Sequence, residues 1–162
     1  PMRRVMMNVA AAAALVLGTS ALASAQTIRL TAVLSGSNET PAAVVTGATG
    51  TAEVFVTLAT QSVTYTVNVF NLPSGAVGGH LHVGGPGVGG PVVVDLAPPA
   101  NVSNDFTLSG TVAQSALRVR ADQGIRTWED FIQSLIGGQV YVNIHSAVNP
   151  GGETRGQLTV TP

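Results

Sequence analysis

The sequence predicts an all-β domain, a Greek-key β-sandwich or flattened barrel of about eight strands with one short helix near 127–136. Three observations carry that expectation. Valine and threonine are abundant, 19 residues are glycine and only 9% are charged, the make-up of short pleated strands joined by tight turns. In the segment 62–70, Val63, Tyr65, Val67 and Val69 alternate with Ser62, Thr64, Thr66 and Asn68, the period-two signature of a half-buried strand. Gly, Pro, Asn or Asp punctuates most of the intervals between such segments, as hairpins and Greek-key connections require.

In chain order the expected strands are 27–35, 50–58, 62–70, 78–83, 91–96, 104–112, 139–145 and 154–161, a spacing that suits a sandwich or barrel. The segment 127–138 breaks the pattern. Thr127 is placed to cap a helix, Glu129 and Asp130 lie in its first turn, and Gly137 and Gly138 stop it. Trp128, Phe131, Ile132 and Leu135 fall on one helical face, which is expected to pack over one end of the strands.

Residues 1–25 read as an export signal. Arg3 and Arg4 precede a short alanine-rich apolar run, and Ala23-Ser24-Ala25 offers a small-x-small cleavage site. The run is too short for a good membrane span. The expectation is an exported protein, periplasmic or secreted, whose single domain covers 26–162. That part holds five arginines, no lysine and eight acidic residues, which argues against nucleic acid or an anionic membrane as partner. The chain has no cysteine, so thiolate chemistry and sulfur-ligated metals are excluded. Neither a protein partner nor an oligomeric state can be read from these features.

Several motifs lead nowhere. Residues 85–90, GPGVGG, satisfy G-x-G-x-x-G but are followed by the strand-like PVVVDL, whereas a dinucleotide site needs a helix there. No G-x-S-x-G elbow of a hydrolase is present. Glycosylation sequons begin at Asn38 and Asn101 and matter only in a eukaryotic source.

The three histidines carry more. Side chains two apart share one face of a strand, so His80 and His82 project together while Leu81 and Val83 face the core. In VYVNIH, Val140, Val142 and Ile144 take the core face, leaving Tyr141, Asn143 and His145 on the other. Should the two strands be neighbours, three imidazoles converge, a set that suits copper or zinc. Parity puts Arg155 and Gln157 on the same face. Arg155 could steer an anion, pair with Glu153 or Asp95, or satisfy loop carbonyls. Glu153 could orient an imidazole N–H or serve only the turn. The candidate site is therefore His80, His82 and His145, surrounded by Arg155, Glu153, Asn143 and Tyr141. The competing expectation is a hydrogen-bonded polar cluster pinning the glycine loop in a non-enzymatic module.

Three strings, SGSNETPAAVVTGATGTAEV (35–54), HLHVGGPGVGGPVVVDL (80–96) and GGQVYVNIHSAVNPGGETRGQL (137–158), resemble the signatures of the CHRD domain. Ser146 and Thr154 depart mildly from the family's threonine and isoleucine. The resemblance implies an all-β extracellular module of the kind found in chordin and in stand-alone exported bacterial proteins, with an extracellular protein partner as one outcome. At the level of fold, His80, His82, His145 and Arg155 are similar in type and order to copper-zinc superoxide dismutase. This chain lacks the zinc-loop ligands, the bridging histidine and the cysteines of that enzyme. The analogy thus implies at most a mononuclear copper site, for metal handling or for superoxide or peroxide chemistry.

Overall fold

A computed structural model describes residues 26–96 and 104–162. The expected export signal, 1–25, and the sequon at Asn101 lie outside the described residues. The strands are β1 (Thr27–Ser35), β2 (Thr49–Thr57), β3 (Ser62–Phe70), β4 (Ala76–Val83), β5 (Val92–Leu96) and β6 (Phe106–Val112). After α1 (Trp128–Ile136) follow β7 (Val140–Ser146), β8 (Thr154–Gln157) and the two-residue β9 (Thr159–Val160). All pairings are antiparallel in the order β5-β4-β7-β8-β1-β2-β3-β6, with β9 beside β1. The sheet curls into a nearly closed barrel with a single α-helix among the described residues. The all-β expectation holds, and the pairs β3–β6, β4–β7 and β1–β8 supply the non-sequential neighbours of a Greek-key path.

The predicted strand 154–161 is split at Leu158. Its amide bonds to the Val140 carbonyl, so β8 pairs with β7 while β9 continues along β1. Val160, which strict alternation from the buried Leu158 would place on the core face, is half exposed at the end of this short piece.

The barrel interior follows the alternation. Leu30 and Leu34 of β1, Val54 and Val56 of β2, Val63, Val67 and Val69 of β3, and Val142 and Ile144 of β7 are all fully buried. Helix α1 starts where expected because Thr127 Oγ1 accepts from the Asp130 amide while the Asp130 carboxylate accepts from the Thr127 amide, a reciprocal cap. Its apolar face is Trp128, Phe131, Ile132 and Leu135, all buried. Trp128 Nε1 also donates to the Gln61 carbonyl in the β2–β3 turn. Burying Phe131 contributes on the order of 1.5–3 kcal/mol.

One face departs from the simple alternation. Every residue of β7 is buried, although only alternate ones face the barrel interior. The outward row is covered by loop: Gly84 bonds to Gln139, the Gly90 amide donates to Tyr141, and Pro150 approaches His145. The strand therefore lies between a hydrocarbon core and a thin polar layer roofed by the glycine-rich loop 84–91 and the loop 147–153.

Candidate metal centre

Strand pairing brings the histidines together. His80 faces Asn143 across β4 and β7, His82 faces Tyr141, and His145 is paired with Gly78. Glycine there leaves room: a Cβ on Gly78 would stand 3.0 Å from His80 Cε1 and 3.7 Å from His145 Cδ2. Ring centroids are 4.7 Å apart for His80 and His145, 5.5 Å for His80 and His82, and 5.9 Å for His82 and His145. Each ring offers one nitrogen, and these three nitrogens lie within 4.8 Å of one another. His82 and His145 are buried and His80 is at the rim.

The remaining ring nitrogens are committed elsewhere. His82 Nδ1 lies 2.8 Å from the Gly90 carbonyl and His145 Nδ1 lies 3.0 Å from the Pro150 carbonyl. A carbonyl only accepts, so both Nδ1 atoms carry the proton and both Nε2 atoms present lone pairs. His80 Nε2 lies 3.5 Å from Asp95 Oδ1. Left over are His80 Nδ1, His82 Nε2 and His145 Nε2, all buried and without a hydrogen-bond partner among the described residues.

Burial also keeps the rings neutral. It pushes His82 down to about 4, against the help of its bond to Gly90 and with the nearby positive groups adding to the fall. Burial likewise lowers His80, where the neighbouring His145 adds to the effect and Asp95 opposes it. His145 is lowered by burial, with the Pro150 carbonyl opposing. At neutral pH the site therefore presents uncharged imidazoles, the form that ligates metals. Bonds of about 2.1 Å set the nitrogens of one ion no more than about 4.2 Å apart. The 4.8 Å bound on the spacing here lies about 0.6 Å beyond that span, so the widest separation it admits would have to close by that much for all three to reach one ion.

The surrounding residues take different roles from one another. Tyr141 stacks on His82 at 5.0 Å, nearly parallel, and its hydroxyl accepts from the Gly90 amide and donates to the Gly90 carbonyl. Arg155 covers the Tyr141 ring, with Cζ 3.5 Å from its centroid. Its guanidinium donates to Thr40 Oγ1 and to the Gly85 and Val88 carbonyls. Of the three uses open to Arg155, satisfying loop carbonyls is the one realised. Asp95 pairs instead with Arg118. Asn143 turns away from the imidazoles and donates to Glu39.

Of the two roles open to Glu153, orienting an imidazole and serving the turn, the contacts are those of the turn. Its carboxylate accepts from Ser146 and Asn149 at 2.6 Å each and touches no imidazole. Burial alone would raise it, but bonds from Ser146, Thr46 and Asn149 hold it below the usual carboxylate range. It pins the β7–β8 loop, whose Pro150 carbonyl then orients His145. Backbone carbonyls, not Glu153, orient His82 and His145. In the sequence Asp95 stands out only as a partner for Arg155. Its place opposite His80 follows from the β4–β5 register, which the length of the glycine loop alone does not reveal.

No curated protein and no solved structure matches the sequence. The family model of the CHRD domain matches residues 30–158, a span that begins in β1, ends just past β8 and includes all three histidines. On that match the chain belongs to the CHRD domain family.

Proposed function

We propose that this protein is an exported metal-binding CHRD domain that holds one ion, copper foremost and zinc as the alternative, through His80, His82 and His145. The observation that carries this reading is the set of three buried ring nitrogens with no partner, gathered from two adjacent strands. A buried polar atom left unpaired costs about 1–3 kcal/mol. The rival reading, a hydrogen-bonded cluster stapling the loops, accounts for the bonds to Gly90 and Pro150 but leaves one nitrogen of each ring buried and unpartnered among the described residues. Three neutral imidazoles suit copper and zinc, and copper binds such a set more tightly. The order of histidines and arginine adds the fold-level analogy with superoxide dismutase.

A bound copper would supply one-electron chemistry toward superoxide or peroxide if a coordination position stays open, and carriage of metal alone if it does not. The chain's own part is to present fixed lone pairs, to keep the rings uncharged and to roof the site. Arg155 and Tyr141 hold that roof by clamping the loop 84–91.

The test is direct. Purified protein is given Cu(II) or Zn(II) in slight excess, desalted, and assayed for metal content and melting temperature. The expected result is about one ion per chain and a raised melting temperature, since a ligand confined to the folded state stabilises it. Replacing His82 or His145 by alanine should abolish both effects. Binding that survives both substitutions unchanged overturns the three-histidine site. An intact fold that takes up no metal near neutral pH favours the extracellular interaction module.

A further inference from the structure

We infer that Asp95 is a positioning residue that sets the tautomer of His80 opposite to that of the other two histidines, so that His80 offers Nδ1 where His82 and His145 offer Nε2. The inference rests on the metal-binding reading for its purpose, but its structural content stands on separate contacts.

His80 and Asp95 are directly paired across β4 and β5, so both side chains leave the same face of the sheet. Asp95 Oδ1 stands 3.5 Å from His80 Nε2, longer than an ordinary hydrogen bond but close enough for its charge to act on that nitrogen. A lone pair on Nε2 is repelled by a carboxylate oxygen at that distance, and an N–H there is attracted. The proton therefore belongs on Nε2, and Nδ1 is left bare. His80 Nδ1 is the nitrogen found buried and unpartnered, in agreement. The other carboxylate oxygen, Oδ2, is held by the Arg118 guanidinium. Asp95 is thus fixed from outside the site and acts on His80 from the rim.

The contrast with the other ligands is geometric. His82 and His145 lie under loops that bring a backbone carbonyl to Nδ1. His80 lies at the rim, where a side chain of the flanking strand does the work. A register irregularity falls between Leu81 and His82, where Val93 is the extra residue on β5, so the two histidines of β4 do not meet β5 in one regular register.

The experiment reads tautomers first and metal second. Imidazole 15N chemical shifts of the full-length, metal-free protein near pH 7.5 should show His80 protonated at Nε2 and His82 and His145 protonated at Nδ1. In Asp95→Ala, with its strand signals retained, His80 should shift toward a mixture while the other two stay. Copper affinity, measured with Cu(II) against a competing chelator, should fall about 10–100-fold in that variant, the usual effect of removing a partner of a ligating histidine. The copper hyperfine splitting should change with it. Arg118→Gln removes the ion pair but keeps the Asp95 carboxylate, and should cost less affinity than Asp95→Ala with His80 still protonated at Nε2. Asp95→Glu should restore part of the loss. A His80 protonated at Nδ1, or tautomers unchanged by Asp95→Ala, overturns the inference. If the tautomers behave as stated and wild type binds no copper, the assignment of Asp95 stands and the metal-binding reading falls.

Discussion

The burial of His82 makes the metal-free protein sensitive to acid in a window that can be named beforehand. His82 titrates near 6.5 when free in water and near 4 in the fold. A depressed histidine contributes stability that is complete above the unfolded value and lost as pH falls through the folded one, because below 6.5 the unfolded chain takes up a proton the folded chain refuses. At 1.36 kcal/mol per unit, the difference is about 3 kcal/mol between neutral pH and pH 4. His80 and His145 act in the same sense. Glu39 acts in the opposite one: burial raises its carboxyl, despite bonds from Asn143 and the Thr40 amide, so its contribution is present in acid and fades as pH rises. Total stability therefore mixes signs, and the informative quantity is a difference. Urea unfolding in the presence of a chelator, from about pH 8 to about pH 4, should show wild type losing about 3 kcal/mol more than His82→Gln. Profiles that run parallel to within about 0.5 kcal/mol would refute the burial argument.

Two further outcomes test the supports of the site. Gly78→Ala places a methyl 3.0 Å from His80 Cε1, so the ring must move. Copper affinity should drop several-fold with little change in the urea midpoint, and an unchanged affinity would mean that the ring's place is not critical. Arg155→Ala removes a fully buried side chain and strips donors from the Gly85 and Val88 carbonyls. Unfolding free energy should fall by about 3 kcal/mol or more, with faster amide exchange at Gly89 and Gly90, and a loss below about 1 kcal/mol would show that the loop holds itself.

Much of this architecture is legible in the residues because strand periodicity is a local signal. The row Val63, Tyr65, Val67 and Val69 announces β3, and Thr127 with Asp130 announces the start of α1, without knowledge of anything distant. Parity extended that reach to the site. Once His80 and His82 are assigned to one face of β4 and His145 to the matching face of β7, only the adjacency of the two strands remains to be learned, and the register supplies it. What could not be read is what covers that face. Whether Gly90 and Pro150 carbonyls reach imidazoles depends on how the loops fold back, which alternation does not encode. The same gap explains Glu153: an acidic residue beside a histidine strand reads as its partner, whereas Ser146 and Asn149, only a few positions away, capture it first.

The seam between β1 and the last strands has a kinetic consequence. Ser35 meets Arg155, and Thr31 meets Thr159, so the two halves of the sheet join through pairings between residues far apart in sequence. Such long-range contacts belong to the millisecond-to-second folding range typical of β topologies. β4 and β7 are also distant in sequence, and their register assembles the histidines. Arg155, however, reaches the Gly85 and Val88 carbonyls only when β8 is seated. The same Arg155 contacts that seat β8 against the fold also hold the loop 84–91 over the histidines. An ion held there as proposed would lie beneath that latch, so weakening Arg155 would hasten its release as well as its entry.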